Sequence, residues 1–410
     1  MEDEAISIDI KAMIEISEDG LLSPLCCIYR VPPTIRLLKE EAYTPKVVSI
    51  GPFHHGDKRL RGMERHKEIM FKRFAQRAKI GLDSLVNLAK QSEPMVRASY
   101  FESINYNKKC LVKLVLVDSA FIIELFIMGH EPQTKGDKLS QPRLAEDIRD
   151  DLLLLENQLP FSFLEALYNM AFPHDRRGDL PSFLDLTYSY FGRHNEQELG
   201  PNHKIQHFTD LLRLFYLRET QLERNPSNDM LRYSANELQE AGVKLEVSTS
   251  NKCLLDLEFS RPVLKIPQIH VDDKTEFLFR NMMALEQCHY PSETYFCDYI
   301  AVLDNLINTN KDVEVLAHEK IINNLLGDAN EVAALINGLG KNITCYGFNE
   351  KLLIISKSLN EFYEDPWHKR KATLRKDYCK TPWQTVASIA GIILLILTII
   401  QTLCSVLQVV

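Results

Sequence analysis

Residues 111–128 read LVKLVLVDSAFIIELFIM, and the identity of this run decides what the rest of the chain folds around. As an α-helix it extends about 27 Å at ~1.5 Å per residue, nearly the ~30 Å of a hydrocarbon core. Lys113, Asp118 and Glu124 interrupt it. Charges at those depths are costly in lipid, so the run reads as the central core helix of a globular body. At about 100° per residue Lys113 and Glu124 share a face, while Asp118 lies roughly 120–140° away. A carboxylate set apart on so apolar a helix is a candidate buried acid.

Working outward, residues 60–79 show helical periodicity with Met63, Met70, Phe71 and Phe74 on one side. Residues 144–159 form a second stripe of Leu144, Ile148, Leu152, Leu155 and Leu159, read as one helix stopped by Pro160. Glu156 lies near the centre line of that stripe, followed by Asn157 and Gln158. The segment CCIYRVPP at 26–33 reads as extended, because a proline disfavours helix in the residue before it. KVVSIG at 46–51 reads as a short strand entering a turn at Gly51-Pro52. Residues 172–203 are loop-rich, and 204–217 form a short amphipathic helix.

Period-two alternation is clear only in 242–271, at Val243-Leu245-Val247, Leu255-Leu257-Phe259 and then Val263-Leu264-Ile266. Helical patterns resume at 274–287, 295–307, 313–326, 330–339 and 352–363. The expected fold is therefore mainly α with a small antiparallel β-sheet, an α+β arrangement.

The last stretch, Val386–Val410, carries no charged residue. It is expected to be a single C-terminal transmembrane helix that meets the lipid bilayer through residues 386–410. Trp383 precedes it, a residue that favours the interface, and Lys369, Arg370, Lys371, Arg375, Lys376 and Lys380 lie ahead of it. By the positive-inside rule these cations orient the body toward the cytoplasm, with the plasma membrane as the expected location. The expected domains are a flexible acidic tail at 1–25, a mainly helical body at 26–365, a basic juxtamembrane segment at 366–385 and the span at 386–410.

A net charge of −8 disfavours a general nucleic-acid binder. The start of the chain lacks a basic n-region and apolar core, so no secretory signal is expected. Nine cysteines without a C-x-x-C pair fit a reducing compartment better than a disulfide framework. GPFHHGDK at 51–58 superficially resembles a phosphate loop, but Asp57 stands where the lysine should be and Pro52 removes an amide. His54, His55, Glu64 and His66, and the pair His203 and His207, do not make up a convergent ligand set. No metal and no cofactor is expected.

Asp118 and Glu156 are the candidate functional acids, since two carboxylates on apolar helices with separated pKa values can act as acid and base. The alternative is a pair of buried structural anchors, favoured by the lack of a nucleophile motif. Asn281, on the Phe277/Ala284 face, reads as structural too. The nine Lys and Arg residues of 58–79 read as a solvated face with some affinity for acidic partners.

Several long stretches carry a family resemblance: CCIYRVPPTIR at 26–36, YTPKVVSIGPFHHG at 43–56, DIRDDLLLLENQLPF at 147–161, LLDLEFSRPVLKIPQIHVDD at 254–273 and FRNMMALEQCH at 279–289. Together they resemble the plant family catalogued as domain of unknown function 247, or uncharacterised protein family 0481. The resemblance implies a plant source, a mostly helical body and a C-terminal anchor, but no known reaction. Some grass members are associated with pollen–stigma self-incompatibility, which implies recognition or signalling through a protein partner not yet identified. The expected function is a non-enzymatic recognition or signalling protein at a membrane. The alternatives are a tethered enzyme using Asp118 and Glu156, and a structural member of a membrane assembly.

Overall fold

A computed structural model of the chain describes residues 23–131, 139, 141–175, 178–217, 223–227, 229–248, 253–344, 347–366 and 382–409. The helices are α1 (Pro33–Arg36), α2 (Arg61–Arg77), α3 (Leu82–Ala98), α4 (Lys108–His130), α5 (Pro142–Asp151), α6 (Phe161–Ala171), α7 (Phe183–Tyr190), α8 (Phe208–Tyr216), α9 (Ala235–Glu240), α10 (Thr275–His289), α11 (Tyr295–Leu306), α12 (Asn310–His318), α13 (Ala329–Leu339), α14 (Glu350–Glu364) and α15 (Pro382–Val409). The strands are short: β1 (Arg224–Asn225), β2 (Lys244–Ser248), β3 (Glu258–Ser260), β4 (Val263–Pro267), β5 (Ile269–Val271), β6 (Ile322–Asn324) and β7 (Phe348–Asn349). Two compact units result. One comprises Met1–Thr220, Asp273–Cys297 and Leu339–Tyr346, and the other Gln221–Asp272, Asp298–Gly338 and Gly347–Val410.

The first unit is built around α4. Asn107 starts this helix by accepting the Cys110 amide on its side chain at 2.8 Å. The helix packs against α2, α3 and α7. Because neighbours surround it, its apolar residues are buried on every side, as expected of a helix without a polar face. Lys113 stays exposed, whereas Asp118 and Glu124 are both buried. Phe126 adds a ring stack on Tyr190 at 4.4 Å.

Two local expectations are overturned in this unit, for one reason. The helix expected over 144–159 stops at Asp151. The Gln158 side-chain amide donates to the Leu152 and Leu154 carbonyls, both at 2.7 Å, and Asn157 donates to the Asp151 carbonyl at 2.9 Å. Side chains thus take the carbonyls that a continuing helix would have used, and the chain turns while Leu152, Leu153, Leu154, Leu155 and Leu159 remain buried. The strand expected at 46–51 pairs with no other strand among the described residues. Its amides go to side chains: Lys46, Val47 and Val48 donate to the Asp151 carboxylate at 2.7–2.8 Å, Ile50 to Asn157 at 2.7 Å and Gly51 to Asp118 at 2.9 Å.

In the second unit the expected antiparallel sheet is mixed. The order is β2-β4-β3, with β2 parallel to β4 and β3 antiparallel to it. Alternation buries Leu245, Leu264 and Ile266 correctly, but period two does not specify which strand lies in the middle. The helix expected over 313–326 ends at His318. Lys320 adopts φ 60 there, and the following β-branched Ile321 and Ile322 lead into β6, which runs parallel to β5.

The expected transmembrane helix is also corrected. The apolar C-terminal run folds as one helix, α15, yet no helix among the described residues is long and apolar enough to cross a membrane. Lys369, Arg370, Lys371, Arg375, Lys376 and Lys380 lie outside the described residues, as does the side chain of Trp383.

Candidate functional site

The cleft with the clearest chemistry lies in the first unit and is built on the segment 26–36. Cys27 and Ile28 donate their amides to the Ser99 carbonyl, and Phe101 donates to the Ile28 carbonyl at 3.0 Å. His207 Nε2 lies 3.0 Å from the Cys27 carbonyl oxygen. These contacts keep 26–31 extended until Pro32 and Pro33 start α1, where a proline's fixed φ suits the first helical turn. Arg30 and Arg36 therefore project from one short stretch onto Glu156.

Glu156 is 2 % exposed and forms the floor. Its Oε1 accepts the Val31 amide at 2.9 Å. Arg36 Nη1 lies 2.8 Å from Oε2, His54 Nε2 3.3 Å and Arg30 Nη1 4.0 Å. Burial acts to raise the Glu156 pKa, but the close approach of His54, the Arg36 charge and the Val31 amide outweigh it and leave the pKa lowered. Above this floor opens a cavity of about 560 Å³, walled by Tyr29, Val31, Pro32, Pro33, Leu37, Phe101 and Cys288 and edged by Glu40 and Glu102. Burial, with the nearby Glu156 charge, pushes the Cys288 thiol up to about 12, so it holds its proton near neutrality.

Asp118 is placed elsewhere and does not line this cleft. Its Oδ1 accepts from Lys67 Nζ at 2.6 Å and its Oδ2 accepts from the Gly51 amide. Lys67 is fully buried and also donates to the Ser49 carbonyl at 2.8 Å. Burial draws the Lys67 ammonium toward neutrality, but Asp118 and Glu64 outweigh it and hold its pKa above the ordinary value. Asp118 and Glu156 thus have separate partners, and each holds a different stretch of backbone in place.

Asn281, Gly51 and His66 also find structural partners. Asn281 accepts the Leu155 amide at 2.9 Å and donates to the Ala42 carbonyl at 2.7 Å. Gly51 has φ 72 and gives its amide to a carboxylate, so the 51–58 turn does not present that donor to a phosphate. His66 Nδ1 lies 3.1 Å from the Gly62 carbonyl oxygen. The cations of α2 do not share one surface. Lys67 is buried, Arg77 pairs with Glu124 and Glu131, and Arg61, Arg65 and Lys72 remain exposed. Periodicity missed the roles of Arg30, Arg36 and Lys67, although the first two lie within CCIYRVPPTIR.

The family model DUF247, described as plant protein of unknown function, matches residues 28–397. Two Arabidopsis thaliana proteins carrying the UPF0481 name are similar to this chain. One is 29% identical over 93% of this chain and 87% of its own length, and the other 22% identical over 94% and 91%. No solved structure matches.

Proposed function

Because the chain belongs to the DUF247 family of plant proteins of unknown function, we propose its role from the geometry of the cleft: non-enzymatic recognition of a partner. The observation that carries this reading is the pairing of an open apolar cavity with a floor carboxylate already committed to Val31, Arg36 and His54. A general base needs a carboxylate with a pKa near the working pH and room for a substrate proton. The Glu156 pKa is lowered, away from neutrality, and the Cys288 thiol is not activated. Leu37 and Phe101, 83% and 58% exposed, instead offer apolar surface at the rim. The test is affinity capture from plant extract with the intact chain and with Leu37→Asp/Phe101→Asp. A partner retained by the first and lost by the second, at equal melting temperature, is the expected result. Identical captured sets would refute the reading, as would turnover by the purified chain that Cys288→Ala removes without altering its melting.

A further inference from the structure

We propose that the cleft takes a short peptide segment that places an apolar side chain in the cavity and a Lys or Arg against its rim; this rests on the recognition reading above. Two guanidiniums and three carboxylates border the cavity, and they are not equally matched. Glu156 is sealed against Arg36. Glu102 pairs with Arg30 at 2.8 Å, both being nearly half exposed, and Arg30 also lies over the Phe53 ring at 4.4 Å. Glu40 remains. Its carboxylate is 75% exposed and meets no cation nearer than Arg36, at 3.7 Å, among the described residues. That same guanidinium is already held by Glu156 and by Thr44 at 2.8 Å. The most exposed charge of the cleft is thus negative and under-compensated, while both cations are already paired. An acidic ligand would have to displace Glu102 from Arg30 or Glu156 from Arg36. A cationic one gains Glu40 without breaking an existing pair.

The cavity's size and walls set the rest. A volume of about 560 Å³ accommodates a few large side chains and not a folded domain. Its lining of Pro32, Pro33, Val31 and the Tyr29–Phe101 ring pair, with centroids 5.6 Å apart, suits an aliphatic or aromatic anchor.

A random heptapeptide phage library selected on the purified full chain tests the proposal. The expected consensus carries an aliphatic or aromatic residue within two or three positions of Lys or Arg. A synthetic copy should lose about two- to fivefold in affinity when its cation becomes Gln, as expected for an exposed ion pair, and should weaken with added salt. Glu40→Gln should abolish that difference. Selection of acidic or uncharged consensus sequences, or a cation effect that survives in Glu40→Gln/Glu102→Gln, overturns the charge assignment and leaves the recognition reading standing. Failure to enrich any sequence that Leu37→Asp/Phe101→Asp rejects overturns both.

Discussion

Replacing Glu124 with Gln should change how the stability of the first unit depends on pH, and the structure sets the size of the effect. Glu124 is fully buried on α4, with neither carboxylate oxygen hydrogen-bonded among the described residues. Arg77 Nε lies 3.2 Å away but also serves Glu131. Burial raises the Glu124 pKa from 4.5 to about 7; Arg77 and Arg73 oppose the shift and Glu131 adds to it. Between those two values the folded chain keeps a proton that the unfolded chain has released. The group's contribution to stability is therefore full below the unfolded pKa, falls as pH rises and is gone above the folded one. At ~1.4 kcal/mol per pKa unit the whole swing is about 3 kcal/mol. Gln cannot titrate, so the difference between wild type and Glu124→Gln isolates this group from the others. Urea unfolding at pH 5, 6, 7 and 8, followed by far-UV circular dichroism, should show wild type losing about 2–3 kcal/mol relative to the variant. The transition to follow is the one that the substitution moves, since two compact units can unfold in separate steps. A difference that stays constant across that range would refute the assignment of a buried, weakly paired carboxylate.

Asp118→Asn leaves the fully buried Lys67 ammonium with only the half-exposed Glu64 opposite it; chemical denaturation should report a loss of about 3–5 kcal/mol. Lys67→Met/Asp118→Leu should recover most of that loss, because no unpaired charge remains. Gly51→Ala combines φ 72 with a Cβ 2.5 Å from the Gln158 carbonyl oxygen and 2.9 Å from Tyr100 Oη; a drop in melting temperature of several degrees, or insoluble expression, is the expected outcome. Asp151→Ala strips the acceptor from the amides of Lys46, Val47 and Val48, with an expected cost of about 2–4 kcal/mol, as only the Val48 amide is cut off from water. Asp151→Asn keeps one acceptor oxygen and should cost measurably less in the same urea titration.

Much of the fold was legible because hydrophobic periodicity reports burial directly. α4 stood out from its composition, and α2, α10, α11, α13 and α14 followed from helical spacing. Legibility ended where side chains replaced backbone partners. Leu144 to Leu159 carries an unbroken helical stripe, but the stripe does not reveal that Asn157 and Gln158 take the carbonyls that would have continued the helix. KVVSIG has the composition of a strand and an extended backbone, yet its partners are Asp151, Asn157 and Asp118, distant in sequence and on other elements. Strand pairing in the second unit was hidden for a related reason: alternation says which face is buried, not which neighbour is hydrogen-bonded.

The same substitution of side chains for backbone explains where the two candidate acids sit. A carboxylate in an apolar core is costly to bury without compensation, and this chain compensates three of its buried acids with a backbone amide as well as a cation. Asp118 takes Gly51 and Lys67; Glu156 takes Val31 and Arg36; Glu286 takes the amides of Phe296 and Cys297 and the guanidinium of Arg213. Asp118 and Glu156 thus each tie an irregular segment to a helix-built core, so that stretches without sheet partners are held firmly. At Glu156 this anchoring also shapes a surface. Fixing Val31 and Arg36 to one carboxylate orients α1, which places Leu37 and Glu40 at the rim of the cleft. If that coupling is what makes the cleft a binding surface, Glu156→Gln should weaken a selected peptide more than Glu40→Gln does. It should do so with both apolar and cationic contacts impaired, because it releases the platform and not a single contact.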